Sequence, residues 1–166
     1  KNKGYEARIE ATHVPLGPLN GVVGAQVNRN EFSALGEEAF VPHTDTHSGA
    51  LFILEELQAT DRLTLSLGGR LERTVVDPDA KGNERFGAAD SSKNFTAGSV
   101  SSGAVFSLTP VWSLAATLGY TERAPTFYEL YANGAHVATG TYEVGNANLS
   151  KEKAVSSDLA LRFDNG

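Results

Sequence analysis

Residues 60–72, TDRLTLSLGGRLE, carry the clearest alternation of apolar and polar side chains in this chain. Leucine occupies positions 63, 65, 67 and 71, while threonine, serine, arginine and glutamate occupy positions 64, 66, 70 and 72. A repeat of two residues is typical of a β-strand with one apolar face. The polar residues 60–62 before it are short enough to form a turn between antiparallel strands. The stretch therefore predicts a strand that follows a tight turn.

The same alternation recurs along the chain and predicts an all-β fold. Six further segments show it, at residues 5–14, 22–31, 49–59, 99–108, 114–123 and 155–163. The connections between them alternate in length, being short at 15–20, 60–62 and 109–112 and long at 32–48, 76–95 and 124–153. We therefore predict seven antiparallel strands in an up-and-down meander, with the short turns at one end and the long loops at the other.

Two architectures are compatible with this pattern. A meander with short periplasmic turns and long extracellular loops is typical of an outer-membrane β-barrel, in which polar side chains line the lumen and apolar ones face lipid. The alternative is a soluble ligand-binding β-barrel, whose apolar face points inward. Alternation alone does not decide which face is outside. Burial of Leu65, Leu118 and Leu161 in a closed small barrel would favour the soluble fold.

Composition excludes several classes of protein. The net charge of -6 and the scattered lysines and arginines argue against a nucleic-acid partner, because phosphate binding needs clustered positive charge. The chain has no cysteine, so thiolate metal sites and thiol nucleophiles are impossible. The longest unbroken apolar run is far shorter than the roughly 20 residues of a membrane helix. An odd strand number is unusual for a closed single-chain barrel, so we expect residues 1–166 to be one partial β-barrel domain.

One long connection departs from the alternation. Residues 120–134, YTERAPTFYELYANG, pass from a strand through Pro125 into an aromatic segment. Proline disfavours helix at the residue before it and suits the first position of a helix. Residues 126–131 are therefore predicted to form about two helical turns. Asn133 and Gly134 have the turn chemistry that would end this helix.

This region resembles a known family. The pattern R-A-P-x-x-x-E-L-Y at 123–131, with G-N-x-x-L-x-x-E at 145–152, is similar to the barrel of a TonB-dependent outer-membrane receptor. The resemblance implies a 22-stranded transmembrane β-barrel in the bacterial outer membrane, filled by a separate plug domain that residues 1–166 do not contain. It also implies ligand uptake powered by the TonB energy-coupling complex through that plug. Residues 123–134 would begin a loop that folds over the lumen.

Side chains in such a loop are candidates for ligand contact. The candidates are Arg123, Tyr128, Glu129 and Tyr131. Packing within the loop explains the same aromatic residues equally well, so both roles stay open at the level of sequence.

A second set of candidates would bind a metal ion. His43, Asp45 and His47 alternate in PHTDTH, so an extended chain would project all three to one side, about 7 Å apart. Imidazole and carboxylate groups suit a borderline divalent ion such as zinc. Solvated loop residues explain the pattern without a metal. The candidates for a fourth ligand are His136, Glu37 and Glu38.

Two segments resemble the zinc-uptake branch of the family, some members of which are also linked to haem. They are GEEAFVPHT at 36–44 and NGAHVATGTYEVGN at 133–146. That branch commonly has proline where Ala135 stands, so the geometry around His136 departs from the motif. His13, at a strand end, is predicted to be structural.

We therefore predict a receptor for a scarce metal or metal complex. Zinc is the first candidate ligand, haem and an iron-siderophore are the alternatives, and no cofactor is required. An enzyme is not predicted, because the serines at 99–102 lack an adjacent histidine and no G-x-S-x-G element occurs. The chain by itself would expose unpaired edge strands and an apolar face, so we expect it to self-associate.

Overall fold

A computed structural model of the chain describes residues 1–34, 39–80, 83–89, 91–136 and 138–164. These residues form nine β-strands, one α-helix and one 3-10 helix. The strands are β1 (Asn2–Thr12), β2 (Leu19–Phe32), β3 (His43–Thr60), β4 (Leu63–Asp79), β5 (Lys93–Ser107), β6 (Trp112–Arg123), β7 (Asn133–His136), β8 (Thr141–Val144) and β9 (Glu152–Phe163). Helix α1 is Phe127–Tyr131, and the 3-10 helix is Glu84–Ala89. None of the helices in these ranges is long and apolar enough to cross a membrane.

Within the described ranges, seven strands form one antiparallel sheet in the order β1-β2-β3-β4-β5-β6-β9. Strands β7 and β8 form a separate hairpin inside the last long connection. The connections β1–β2, β3–β4 and β5–β6 lie at one end of the sheet, and the longer ones lie at the other. The predicted up-and-down meander is therefore confirmed.

The strands extend further toward the long connections than the alternation predicted. β3 begins at His43 rather than at residue 49, and β4 continues to Asp79 rather than ending near residue 72. Backbone pairing continues there, with His43 opposite Asp79, because ladder hydrogen bonds do not require an apolar face. The prediction that residues 32–48 form one long loop is therefore wrong, and PHTDTH lies largely in a strand.

One face of the sheet is apolar and exposed. Leu65, Leu118 and Leu161 expose 37%, 61% and 60% of their surface, and Ile9 exposes 72%. The soluble barrel with these leucines buried inside is therefore wrong. A continuous exposed apolar surface is unfavourable in water and is the surface that a barrel strand presents to lipid.

The apolar face covers only part of the strand length. On β4 it runs from Leu63 to Leu71, a length that agrees with the about 9–11 residues of a tilted transmembrane strand. Beyond Leu71 the same face carries Arg73 and Asp77, both exposed. The ends of the strands at the long connections therefore project beyond the apolar band.

The packed core lies in the long connections, beside the polar face of the sheet. We call it the loop core, and it consists of Val76, Ala80, Phe86, Ala89, Leu130 and Tyr131. Val76 comes from β4, Phe86 from the 3-10 helix and Leu130 from α1, so separate connections share one interior. Phe95 and Phe127 pack against it.

The sequence predicted a turn at Asn133 and Gly134. This prediction is wrong, because these residues begin β7. The main-chain N–H of Asn133 donates to the carbonyl of Phe40 at 2.7 Å, and its side-chain amide donates to the carbonyl of Arg85 at 2.6 Å. These tertiary hydrogen bonds hold the segment extended against the two other long connections.

Candidate functional site

Helix α1 begins where Thr126 caps it. The hydroxyl of Thr126 accepts from the N–H of Glu129 at 3.4 Å, and the Glu129 carboxylate accepts from the N–H of Thr126 at 2.7 Å. This capping box satisfies two N–H groups that a helix start leaves without an internal partner. The helix that R-A-P-T predicted is therefore present, although it is only five residues long.

Arg123 fixes α1 to the end of β6. Its guanidinium donates to both carboxylate oxygens of Glu129 at 2.9 Å, and its Nε donates to Glu152, where β9 begins, at 3.0 Å. A bidentate arginine–carboxylate pair is directional as well as strong. Hydrogen bonds from Arg123 and from the N–H of Thr126 lower the pKa of Glu129 to about 2. Arg123 and Glu129, both ligand candidates by sequence, thus hold the connection in place.

The chain returns to α1 at Gly145 and Asn146. The N–H of Gly145 donates to the carbonyl of Ala132 at 2.6 Å, and that of Asn146 donates to the carbonyl of Glu129 at 2.8 Å. A Cβ at position 145 would lie 2.7 Å from main-chain atoms at the end of α1. The G-N of the sequence motif is therefore the point where two main-chain segments meet without room for a side chain.

Beneath α1, the polar face of the sheet borders an open cavity of about 530 Å³. Its size is that of a site for a small molecule. Phe127 and Tyr128 of α1 form one side of it, and Tyr128 remains 38% exposed. Burial raises the pKa of the Tyr128 hydroxyl. The opposite side is a polar wall that contains the Arg70–Glu72 ion pair. Its amide and hydroxyl side chains are Asn28, Asn30, Thr46, Ser48, Thr74, Ser99 and Thr121.

The sequence interpretation predicted a polar lumen face but named none of these residues as candidates. Asn30 and Thr46 face each other across β2 and β3, and Thr46 lies in the part of β3 that the sequence assigned to a long connection. Their side-chain oxygens, Oδ1 and Oγ1, are buried and lack a hydrogen-bond partner among the described residues. The signal was present in the even-numbered positions of 26–30 and 44–48, which all hold polar side chains.

The structure places the three predicted metal ligands of PHTDTH on one face of β3. This is the face that continues into the apolar band, whereas the intervening Thr46 lines the cavity. Asp45 accepts a hydrogen bond from Arg29 at 2.5 Å and lies 3.4 Å from Nε2 of His47. Among the residues that the structure describes, no three His, Asp or Glu side chains are grouped to hold a metal ion. A zinc site at His43, Asp45 and His47 stays a prediction.

His136, the predicted fourth ligand, belongs to the hairpin of β7 and β8. Its Nδ1 lies 2.7 Å from Glu143, and its ring stacks on Phe40 with 4.6 Å between ring centroids. These contacts involve none of the three other predicted ligands. Residues 37 and 38, the alternative fourth ligands, lie outside the described residues.

The remaining candidates differ in accessibility. Tyr131 is 4% exposed and belongs to the loop core, where its hydroxyl donates to the carbonyl of Ser91 at 3.2 Å. Burial raises the pKa of Tyr131 to about 12. Tyr128 is thus the accessible tyrosine of α1. His13 lies 3.0 Å from Glu55 and 2.8 Å from the carbonyl of Val14, contacts suited to a structural role.

A first prediction concerns the anchoring of α1. Glu129→Gln removes the charge that pairs with Arg123, and both groups are partly exposed, so we expect a loss of about 0.5–1 kcal/mol in local stability. Because the pKa of Glu129 is lowered, the pair is fully formed above about pH 4.5 and is lost as the pH falls toward 2. Hydrogen exchange of residues 127–131 should therefore be faster in the variant at pH 7.

The control for this variant is Glu84→Gln, which neutralises an exposed carboxylate in the neighbouring 3-10 helix. Equal exchange in the two variants would show that the Arg123–Glu129 pair does not hold α1.

The architecture defines a class of protein. An antiparallel meander with an exposed apolar band, a polar opposite face and long connections folded over that face is the wall of a transmembrane β-barrel. A family model described as "TonB dependent receptor-like, beta-barrel" matches residues 3–166. The chain belongs to the TonB-dependent receptor family, whose members lie in the bacterial outer membrane.

Among solved structures, the chain is similar to one titled "Copper transporter OprC". The TM-score is 0.77 at 21% sequence identity, and the match covers 99% of this chain and 27% of that chain. At this identity the similarity shows the fold alone. The predicted fold class and the family resemblance are confirmed, whereas neither comparison supports the zinc branch in particular. The total of 22 strands stays a prediction.

Proposed function

We propose that these residues form part of the wall of a receptor that takes up a metal ion or a metal complex across the outer membrane. The cavity between α1 and the polar face carries this proposal, because its volume of about 530 Å³ suits a small ligand at the mouth of the lumen. Membership of the TonB-dependent receptor family supports uptake, and the similarity to a protein titled as a copper transporter supports a metal.

The mechanism we propose contains no catalytic step. Side chains of the sheet and of α1 bind the ligand at the lumen mouth, and the aromatic face of Tyr128 covers it. Arg123 keeps α1 in place through Glu129. A plug domain, absent from residues 1–166, would close the lumen until the TonB complex acts on it. No resident cofactor is required, since the chain binds and releases its ligand unchanged.

Zinc stays a candidate, with His43, Asp45, His47 and His136 as its proposed ligands, but the first three lie on the face of β3 away from the cavity, so zinc would bind outside it. Copper joins it as a candidate because of the similarity to OprC. Haem and an iron-siderophore are the alternatives, and the polar wall of the cavity favours them over a bare ion because amide and hydroxyl groups bind ions of the zinc type less well than imidazole or thiolate.

Calorimetric titration of the full-length receptor in detergent tests the proposed function. The probes are zinc chloride, copper chloride, haemin and a ferric chelate, followed by uptake of the bound probe into cells with and without TonB. We expect one probe to bind tightly and to accumulate only when TonB is present. Absence of binding by every probe would refute a metal receptor.

A further prediction concerns the zinc hypothesis. Replacing His43 and His47 with alanine removes two of the proposed ligands, so zinc affinity should fall more than about 100-fold if the site exists. Circular dichroism should show unchanged strand content, because backbone pairing of β3 does not depend on these side chains. His13→Ala is the matched control, since His13 bonds Glu55 instead. Unchanged zinc affinity in the double variant would remove zinc coordination from this face of β3.

A further inference from the structure

The apolar face of the sheet carries a concavity of its own, on the side away from the lumen. This groove has a volume of about 570 Å³, and its apolar and aromatic lining residues are Leu51, Ile53, Leu71, Val100 and Tyr120. Glycine stands in place of a side chain on two neighbouring strands, with Gly69 opposite Val100 and Gly98 opposite Leu71. None of these residues lines the lumen cavity. The missing side chains therefore leave an apolar depression that is open to lipid.

The groove reaches the edge of the apolar band on the side of the long connections. Leu71, which lines it, is the last apolar residue of this band on β4, and the next residue on the same face is Arg73. In an outer-membrane barrel the long connections are extracellular. The groove therefore faces the acyl chains of the outer leaflet, and Arg73 lies at the level of the lipid headgroups.

Two cations beside this end of the groove are free. Arg73 and Lys153 are exposed, and neither forms an ion pair with a residue that the structure describes. Lys153, on β9, is the register partner of Glu122, which borders the groove. Three strand intervals separate β4 from β9 in the sheet, which corresponds to about 14 Å. Free positive charges therefore stand on both sides of the groove.

The carboxylate at this end of the groove is already paired. Glu122 accepts from Nζ of Lys151 at 2.5 Å and from the hydroxyl of Tyr120 at 3.0 Å. It therefore does not neutralise Arg73 or Lys153. With Lys151 included, the end of the groove carries three positive charges and one negative charge, which favours an anionic headgroup.

We propose that the groove binds an outer-leaflet glycolipid that carries acyl chains and a phosphate at each end of a disaccharide headgroup. The acyl chains bury apolar surface over Gly69 and Gly98, and Arg73 and Lys153 each bind one phosphate through charge-assisted hydrogen bonds. Two cations about 14 Å apart match two phosphates on a disaccharide better than they match the single phosphate of a phospholipid. The site is separate from the lumen cavity and does not depend on the ligand that the receptor takes up.

Lipid binding to the full-length receptor, purified in detergent and freed of bound lipid, tests this inference. The probes are bisphosphorylated lipid A, its monophosphorylated form and phosphatidylglycerol, with the bound fraction measured by native mass spectrometry. A cation near an anionic lipid contributes a factor of about five to the affinity. We therefore expect the bisphosphorylated lipid to bind at least about fivefold more tightly than either other probe.

Substitution of the two free cations tests their role. Arg73→Gln combined with Lys153→Gln removes both phosphate contacts, so the affinity for the bisphosphorylated lipid should fall about 25-fold. Lys3→Gln is the matched control, because Lys3 is an exposed cation near the same end of the sheet, on β1, away from the groove. Titration of the receptor with the metal probes should be unchanged in all these variants, since none of the three residues lines the lumen cavity.

A second substitution tests the groove itself. Gly98→Val places a side chain in it, and a Cβ at position 98 meets no atom closer than 4.0 Å, so the sheet should fold normally. We expect several-fold weaker binding of all three lipids, with an unchanged melting temperature of the lipid-free receptor.

Three outcomes overturn the inference. Phosphatidylglycerol that binds as tightly as the bisphosphorylated lipid would discard recognition of two phosphates. An equal loss of affinity in Lys3→Gln and in the double variant would mean a diffuse positive belt instead of a site. Unchanged lipid affinity in both the double variant and Gly98→Val would remove lipid binding from this groove, and it would leave the proposed metal receptor intact.

Discussion

Leu130→Ala is expected to weaken the loop core by about 2–5 kcal/mol, the usual cost of a cavity left by a buried leucine. Leu130 is 1% exposed and packs with Val76 of β4 and Phe86 of the 3-10 helix. Because these residues come from separate connections, the space left by the missing side chain should loosen the neighbouring connections as well as α1. The barrel strands should be unaffected, since their backbone hydrogen bonds lie outside the loop core.

Hydrogen exchange of the full-length receptor measures this effect. We expect faster exchange in residues 83–89 and 127–136 and unchanged exchange in β4 below Leu71. Leu149→Ala is the matched control, because Leu149 lies in the same long connection and is 40% exposed. If both variants exchange alike, burial of Leu130 does not stabilise the connections.

Gly145→Ala should displace α1 and weaken ligand binding. The added methyl group would meet main-chain atoms at 2.7 Å, and main chain cannot rotate away as a flexible side chain can. Overpacking of this kind costs about 1–3 kcal/mol. It would also strain the hydrogen bond from the N–H of Gly145 to Ala132 and, through α1, move Tyr128 relative to the polar wall.

The measurement is ligand affinity by calorimetry, with strand content by circular dichroism as the test of folding. We expect several-fold weaker binding with unchanged strand content. Gly87→Ala is the control, because a Cβ at position 87 meets no atom within 4 Å. Wild-type affinity in Gly145→Ala would show that the close approach at the end of α1 does not position the cavity.

Much of the fold could be predicted from local patterns. The alternation of residues 60–72 identified β4, and the alternating lengths of the connections identified the meander. Pro125 of the R-A-P-T motif indicated the start of α1, because proline disfavours helix at the residue before it and suits the first turn of a helix. Each of these features depends on neighbours in sequence, which is why the sequence sufficed.

The candidate site was less predictable. Arg123 was a ligand candidate by sequence, and only its 2.9 Å contacts with Glu129 show that it anchors the helix. Tyr131 was ranked with Tyr128, yet the first is buried and the second lines the cavity. The two tyrosines are three residues apart on a short helix. The residues that cover each of them come from other connections.

The sequence by itself determined the seven strands of the large sheet, their antiparallel order and the helix after Pro125, since period-two alternation and the effect of proline on the backbone depend on adjacent residues. The tertiary structure decided which face is exposed, where the loop core forms and which polar groups meet at the cavity. Asn30 and Tyr128 border one cavity although almost a hundred residues separate them in the chain. Contacts of that range arise from the register of the whole sheet and from packing between connections, which no short stretch of sequence contains.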